Sequence, residues 1–306
     1  IKITDYTTIT VGARADFISA KLNDPAPDFE ALYGGEIKDE SEVNIGGNAS
    51  VKYQKNGFQT QFAVGRGIRT ASMTERFINH FNVGEDPYEY VGNPNLKPEI
   101  NTSREVGVDF NLFNNRLRFE GTYFYQENTN QILNIQSPSS TGFNAKQINA
   151  GVISSRGWEL MIGGTPIKAE NGLTWDININ VTRMRTRLES LTPGMNFITL
   201  WDDNNGGAQT FVGEDIGNLY SRGYSKVKDP NSPYYNWPIL TPQGGWIPDN
   251  SREGRVKVGN FNPDAMIGIQ SMLRYKRRNL STSQDLRIVV QNKSVKYIFI
   301  LTMSLN

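Results

Sequence analysis

Cysteine is absent from the 306 residues, histidine occurs once, at His80, and no run of 18 or more apolar residues is present. Without cysteine the chain forms neither disulfides nor thiolate metal sites. Without a long apolar run it has no segment that could cross a membrane as a helix. Any metal site would have to be built from carboxylates, and any membrane passage from strands.

An excess of charge of either sign is also missing. The chain carries 32 Lys and Arg against 31 Asp and Glu, a balance that argues against nucleic acid as a partner. The N-terminal residues IKITDYTTIT contain no basic segment followed by an apolar one, so no signal peptide is visible. Because these residues lead almost directly into a strand pattern, we expect a fragment that starts within a domain rather than a processed N-terminus.

What the sequence does contain is strict alternation of apolar and polar residues, repeated from one end to the other. With 11% aromatic residues and 29 glycines, this pattern predicts an all-β protein with many turns and no helix. The predicted strands are nine: 8–17, 43–53, 58–64, 104–113, 117–125, 157–165, 173–183, 267–275 and 286–290.

The predicted connections alternate between short and long. Short turns fall at 54–57, 114–115 (a two-residue Asn-Asn hairpin turn), 166–172 and 276–279. Long segments fall at 18–42, 67–103, 127–156 and 184–262. In an up-and-down antiparallel sheet this places every long loop at the same end, as in transmembrane barrels. A soluble β-sandwich is the alternative, although such long loops are unusual in a compact soluble domain.

The stretch GNPNLKPE, followed by Glu105 and Gly107, resembles a signature of the barrels of TonB-dependent outer-membrane receptors. Other stretches resemble elements of the same family. These are GRGIRTASMTERF (through Arg69 and Glu75, with Ala71 where proline is common), INAGVISSRGWEL (through Asn149, Ala150, Gly151, Gly157, Glu159 and Leu160), FVGEDIGNLYSRGY and VGNFNPDAMIGIQSMLRY. The last two are similar to SusC/RagA-like receptors of Bacteroidota. With the last two stretches counted together as one motif, four motifs in the expected order cover about residues 5–280.

The resemblance implies an antiparallel up-and-down transmembrane β-barrel with long extracellular loops, in the cell outer membrane. The signature residues Asn93, Pro94, Asn95, Leu96, Lys97, Pro98, Glu99, Glu105 and Gly107 would then be architectural. The prolines would stiffen the loop where it re-enters the wall. Val106, Val108, Phe110 and Leu112 would meet membrane lipid, while Glu105, Asp109 and Asn111 would face the lumen.

The sequence gives little support for a catalytic function. His80 falls in a predicted loop without a serine or cysteine nucleophile motif nearby, so we assign no catalytic residue and no cofactor. The run Asp202-Asp203-Asn204-Asn205-Gly206 is similar to a calcium loop but lacks the spaced acids and the closing glutamate, so no metal site is assigned. An outer-membrane enzyme with lumenal catalytic residues is therefore the weakest interpretation.

The longest loop is the candidate ligand-contact region, because aromatic faces stack on sugar rings and other apolar ligand surfaces. Its aromatic residues are Trp201, Tyr220, Tyr224, Tyr234, Tyr235, Trp237 and Trp246. The alternative is that these rings pack within the loop or belong to an interfacial girdle. In SusC-like relatives this surface would also face a SusD-like surface lipoprotein.

We interpret residues 1–283 as part of a larger receptor barrel and residues 284–306 as a divergent tail, arising from truncation, frame disruption or ordinary divergence. Nine strands are too few for the roughly 22 of a transporter barrel. The expected function is that of the parent: uptake of a large nutrient (glycan, peptide or metal chelate) without chemistry, driven by the TonB complex through the parent's plug. The rival function is a soluble or surface β-rich binding module, such as a glycan adhesin.

Overall fold

The computed structural model describes residues 1–23, 27–80, 90–136, 143–202, 206–249, 254–276, 278–291 and 294–305. Within them lie twenty strands and two short helices, α1 Pro27–Leu32 and α2 Met73–Phe77. The strands are β1 Thr7–Ala20, β2 Glu40–Lys55, β3 Phe58–Arg69, β4 Asn79–His80, β5 Tyr90–Val91, β6 Glu99–Leu112, β7 Leu117–Thr129, β8 Ile132–Gln136, β9 Ala145–Asn149, β10 Gly151–Lys168, β11 Leu173–Leu191, β12 Phe197–Asp202, β13 Gly206–Phe211, β14 Asn218–Ser221, β15 Gly223–Tyr224, β16 Pro248–Asp249, β17 Val256–Asn260, β18 Ala265–Tyr275, β19 Arg278–Gln291 and β20 Ser294–Leu305.

Ten strands of the described chain form one antiparallel sheet in the order β1-β2-β3-β6-β7-β10-β11-β18-β19-β20. Consecutive long strands are therefore neighbours, which is the up-and-down topology that the connections predict. The long connections are not structureless. They hold the sheets β4-β5-β9-β8, β12-β13-β14-β17 and β15-β16.

The main sheet has one strand more than the nine predicted. The tenth, β20, pairs with β19 from Leu280↔Leu305 to Gln291↔Ser294. It lies in the segment that we interpret as a divergent tail. Its sequence, SVKYIFILTMSL, places apolar residues at successive positions. Period-two alternation therefore could not reveal it, because that signal requires one polar face.

The turn between β6 and β7 is longer than the predicted two-residue hairpin. It spans Phe113 to Arg116, with the Arg116 amide donating to the Phe113 carbonyl at 3.2 Å. Phe113, Asn114 and Asn115 all have positive φ, between 52° and 63°. The asparagines adopt this conformation at low cost, whereas it is unusual for a bulky residue such as Phe113.

The expectation of no helix is wrong at two places. The N-terminus of α2 carries a capping box: the Ser72 hydroxyl accepts from the Glu75 amide at 3.2 Å, and the Glu75 carboxylate accepts from the Ser72 amide at 2.7 Å. Helix α1 begins at Pro27, whose fixed φ and missing N–H suit a first helical position. Both helices are too short to show a 3.6-residue period, so only their N-terminal signals could have revealed them.

The buried apolar residues lie mainly in the connections rather than on the main sheet. One cluster contains Phe29, Val91 and Phe143, and a second contains Ala71, Leu96 and Ile132. A soluble sandwich would bury one face of its sheets along most of their length. In this protein the main sheet instead leaves apolar side chains exposed, among them Val11, Phe62, Val106 and Tyr123. An exposed apolar face is expected where a sheet separates lipid from a polar interior. No helix in the described part of the chain is both long and apolar enough to span a membrane.

Candidate functional site

The strand registers divide the main sheet into an apolar and a polar face. One row across six strands pairs Phe58, Phe110, Phe119, Ile162, Ile179 and Ile269. The next row on the opposite face pairs Asn111, Arg118, Gly163, Asn178, Gln270 and Ser283. As the sequence predicts, Val106 and Phe110 share the apolar face, while Glu105, Asp109 and Asn111 lie on the polar one. This separation is what a barrel wall needs between lipid and a polar lumen.

A cavity of about 900 Å³ lies on the polar face near the short turns. Amides and hydroxyls dominate its lining, among them Asn111, Asn178, Gln270, Thr282 and Ser283. A Cβ at Gly163 would approach the Asn178 Oδ1 to 2.6 Å, so this glycine leaves room for the amide. The cavity can donate and accept hydrogen bonds without presenting charge of one sign.

Two charged side chains that line the cavity form an ion pair with each other. The Arg274 guanidinium donates to the Asp176 carboxylate, which also accepts from the Thr165 hydroxyl at 2.6 Å. Arg118 forms an ion pair with Glu120 at 3.0 Å. The surface that remains for a ligand is therefore mostly uncharged and polar.

At the opposite end of the wall, three separate sequence motifs meet. The Glu99 carboxylate accepts from the Arg69 Nε at 2.5 Å and from the Ile132 amide at 2.7 Å. Arg69 also donates to both oxygens of Glu75, at 2.9 and 3.0 Å. Glu99 thus connects the end of β3 to the start of β8, and Arg69 connects both to helix α2. We refer to residues 69–76, 93–99, 130–132 and 149–150 as the loop junction.

The signature residues 93–99 form the centre of this junction. The Asn93 amide donates to the Glu75 carbonyl at 3.0 Å, and its side chain accepts from the Asn95 amide at 3.0 Å. Leu96 is buried against Ala71 and Ile132. The Pro98 carbonyl accepts from the Asn130 side chain at 3.2 Å. These contacts tie the segment into neighbouring loops before β6 begins.

Other signature positions are spread more widely. The Pro94 carbonyl accepts from Arg76 at 3.2 Å, and the Lys97 backbone is held by Asn149. Glu105 and Gly107 lie beyond the junction, on the polar face of β6. Gly107 pairs with Gln61 on one side and Thr122 on the other. Glu105 is exposed.

Arg76 is the buried cation of the loop junction, with only 1% of its surface exposed. Its guanidinium donates to Glu40 at 2.6 Å and to Glu42 at 2.8 Å, both on β2. The Nε has no hydrogen-bond partner among the described residues. Sequence reasoning missed Arg76, and the S-x-x-E capping signal just before it marks the helix that carries it.

Two titratable groups near the junction have shifted pKa values. Burial opposes ionisation of Glu75, but hydrogen bonds from Arg69 and Ser72 outweigh it and hold the pKa of Glu75 below its usual range. Burial raises the pKa of Tyr33 to about 12. The Tyr33 hydroxyl donates to the Gly92 carbonyl, next to the signature segment. The two shifts have different causes: hydrogen bonds lower the pKa of Glu75, and burial raises the pKa of Tyr33.

The structure brings together only some of the seven aromatic residues of the predicted contact loop. Tyr224 and Trp246 form an edge-to-face pair with ring centroids 4.6 Å apart, and Tyr234 and Trp237 form another at 5.4 Å. Both pairs lie on residues 223–249, which we call the aromatic arm. Trp237 and Trp246 are 61% and 59% exposed.

Backbone hydrogen bonds hold the arm in shape, such as Ser225 N to Ile247 O at 2.8 Å and Val227 N to Trp237 O at 2.9 Å. Tyr235 is exposed on the same arm. Trp201 is exposed on β12, in a different sheet. Tyr220 is 8% exposed, with its hydroxyl donating to Glu214 at 2.7 Å and its ring edge-on to Phe211. The expectation of ligand contact therefore fits Tyr220 poorly, because its ring is packed inside the loop.

The residues considered for other chemistry are dispersed. His80 lies in β4, paired with Tyr90, rather than in a loop. Asp202 forms a two-point ion pair with Arg255 at 2.8 and 3.1 Å, whereas Asp203, Asn204 and Asn205 lie outside the described residues. Among the described residues, no group of three or more His, Asp or Glu side chains could hold a metal ion.

An apolar face, a polar face, short turns at one end and packed loops at the other define part of an outer-membrane β-barrel wall. Residues 1–285 match the family described as "TonB dependent receptor-like, beta-barrel", and the chain belongs to this family. It is 24% identical over 201 residues to TonB-dependent receptor P26 of Formosa agariphila, a match that covers 62% of this chain and 20% of that protein. It is 29% identical over 211 residues to TonB-dependent receptor SusC of Bacteroides thetaiotaomicron, covering 65% and 20%.

Solved structures show the same fold. The RagAB peptide transporter superposes with a TM-score of 0.58 over 96% of this chain and 41% of that chain, at 16% identity. The chain spans about a fifth of the length of these curated relatives. The family assignment decides for the barrel and against the soluble β-module, and it places the protein in the outer membrane.

Proposed function

We propose that this chain is a wall section of a receptor that imports a large nutrient across the outer membrane without covalent chemistry. Support comes from the polar face and its cavity of about 900 Å³, in which amides and hydroxyls face the space that the wall would enclose. Such a surface binds and releases polar ligands through exchangeable hydrogen bonds. Glycans and peptides present many such groups, and a metal chelate is the third class we include.

The names of similar proteins favour the first two classes. One structural neighbour is described as a peptide transporter, and a curated relative is named SusC. We therefore propose a glycan or a peptide as the cargo, a surface lipoprotein of the SusD type as a partner, and the TonB complex as the energy source through a plug in the intact receptor.

Within this proposal the two regions of residues predicted from the sequence have different roles. The signature residues hold the loops in place, because their contacts are directed to neighbouring backbone and side chains in the loop junction. The aromatic arm contacts the ligand through Trp237, Trp246 and their tyrosine partners, whose rings are exposed on a hydrogen-bonded support. A rigid aromatic surface loses little conformational entropy when a ligand stacks on it.

The contact role is tested by tryptophan fluorescence of the full chain in detergent, titrated separately with a mixed oligosaccharide pool and with a mixed peptide pool. We expect one of the two to change the emission of the wild type, and Trp237→Ala with Trp246→Ala to weaken that binding about tenfold, as for loss of one or two stacking contacts. Phe113→Ala with Tyr275→Ala, which removes two exposed rings near the short turns, serves as the matched control. Equal binding by the arm variant and the wild type would rule out the arm as a contact.

Import itself is tested in cells that carry the full receptor gene as their only route for the nutrient. We expect growth on that nutrient to require the gene, and we expect it to stop when TonB is deleted. Growth at an undiminished rate in either deletion would contradict the proposal.

A further inference from the structure

The apolar face of the wall carries a group of arginines near the end where the loops lie. Arg104 is two residues from Val106 on β6, Arg156 is two residues from Trp158 on β10, and all four share one face because side chains alternate along a strand. Arg183 joins them, since it pairs directly with Trp158. We call Arg104, Arg156 and Arg183 the arginine belt.

The registers place the belt within a narrow band across four neighbouring strands. Arg104 pairs with Tyr125, and Tyr125 pairs with Arg156, so the two arginines flank one tyrosine. With strands about 4.8 Å apart, the two arginine Cα atoms are about 10 Å from each other. Arg183 lies diagonally from Arg156, on the adjoining strand. This spacing lets more than one arginine reach a single multiply charged group.

All three belt side chains are exposed, and no carboxylate among the described residues forms an ion pair with them. Neighbouring arginines on the same face differ in this respect. Arg185 is paired with Asp264, and Arg187 lies 3.7 Å from Glu189. Two acids lie near Tyr125: Glu127, two residues further along β7 toward the loops, which accepts from the Tyr125 hydroxyl at 3.1 Å, and Glu189, which is already paired with Arg187. The belt therefore retains a net positive charge.

The belt lies at the height where the apolar band of the wall ends. Eight residue steps separate Leu112, beside the β6–β7 turn, from Arg104. At about 3.4 Å per residue and a tilt of about 40°, this is roughly 20 Å across the membrane, close to the ~25 Å height of an apolar barrel band. Tyr123, Tyr125 and Trp158 accompany the belt, and such aromatic residues mark the boundary between acyl chains and headgroups.

From these observations we infer that the arginine belt is a binding surface for phosphate-bearing lipid headgroups of the outer leaflet. A guanidinium binds phosphate through two parallel hydrogen bonds, and the aromatic rings below it pack against acyl chains. The lipid is favoured over a protein partner because the belt continues the apolar band without a break. The inference rests on the family fold and the face assignment and is independent of which nutrient is imported.

The test measures binding of lipid A carrying two phosphates to the full chain in a nonionic detergent, by native mass spectrometry. We expect Arg104→Gln, Arg156→Gln and Arg183→Gln together to weaken binding about tenfold to a hundredfold, as loss of three cations near an anionic headgroup implies. The control removes the same number of charges at exposed positions away from the belt and from the aromatic arm: Lys38→Gln, Lys168→Gln and Lys276→Gln. We expect this control to bind as the wild type does.

Three further measurements identify the ligand and show whether a loss of binding is due to misfolding. Replacing the belt arginines with lysines should retain most of the binding, since the charge is kept. Inorganic phosphate at millimolar concentration should compete only weakly, because it lacks the acyl chains that contact the aromatic residues. With the wild type alone, lipid A that has lost one phosphate should bind more weakly, and so should the intact lipid at high salt. Binding that does not depend on phosphate number and salt would overturn the inference, and so would unchanged binding in the glutamine variant. Either result would favour a protein as the partner of the belt.

Discussion

The side-chain amide of Asn149 is hydrogen-bonded to both backbone polar groups of Lys97: its oxygen accepts from the Lys97 amide at 2.8 Å, and its nitrogen donates to the Lys97 carbonyl at 2.9 Å. The same nitrogen donates to the Asn130 carbonyl at 2.9 Å. One side chain thus supplies to the signature segment the pair of bonds that a neighbouring strand would make. Residues 52 positions apart in sequence are joined as in a sheet.

Replacing Asn149 with aspartate should loosen the loop junction while preserving its shape. The variant keeps an acceptor for the Lys97 amide but sets a carboxylate oxygen against the carbonyls of Lys97 and Asn130. We expect the free energy of unfolding to fall by about 1–3 kcal/mol, the usual cost of leaving such groups unpaired. Urea titration in detergent micelles measures it. Asn134→Asp, at an exposed position on the neighbouring β8, is the control and should change little. An equal loss in both variants would show that added charge, not the Lys97 contact, is responsible.

Arg76→Met should destabilise the junction more than Asn149→Asp does. The change leaves the carboxylates of Glu40 and Glu42 close together without their shared cation. Breaking a fully buried ion pair costs about 3–5 kcal/mol, and we expect roughly 2–3 kcal/mol here because Glu40 remains partly exposed. Unfolding free energies from urea titration provide the measurement. Adding Glu42→Gln to Arg76→Met should recover part of the loss. A double variant less stable than the single one would contradict an ionic role for Arg76.

The lowered pKa of Glu75 leads us to expect that the folded protein loses stability in acid. Its pKa is lowered in the folded protein, so folding favours the ionised carboxylate. This contribution is complete above the unfolded pKa of about 4.3 and is lost as the pH falls through the lower folded value. Glu75→Gln should be less stable than the wild type at neutral pH, and the difference should shrink below about pH 4. Thermal unfolding measured from pH 7 to pH 3 tests this, and a difference that stays constant over that range would count against it.

The raised pKa of Tyr33 leads us to expect that the folded protein also loses stability in alkali. Its folded pKa of about 12 lies above the unfolded value of about 10, so folding favours the protonated phenol. The contribution is complete below about pH 10 and is lost as the pH rises toward 12. The phenolate absorbance at 295 nm should show a component that titrates late, and Tyr33→Phe should reduce its amplitude by one tyrosine. An unchanged amplitude in Tyr33→Phe would assign the late component to other tyrosines.

Much of the wall could be predicted from the sequence because alternation is a local property. Val106, Val108 and Phe110 had to share one face once the segment was a strand, and the alternation of short and long connections ordered the neighbours. The misses have local causes too. The sequence of β20 has apolar residues at successive positions, α1 and α2 are shorter than two turns, and the three positive φ values of the β6–β7 turn do not follow from its two asparagines alone.

The sequence by itself determined the class of fold, the family, and the division of each strand into an apolar and a polar side. These depend on residues near one another in the chain. Only the tertiary structure decided which side chains from different strands and loops come together: Asn149 with Lys97, Arg76 with Glu40 and Glu42, the amides around the cavity, and the arginine belt. Those groupings depend on strand register and loop packing, which are set by many weak contacts between segments distant in sequence. No short stretch of residues encodes them.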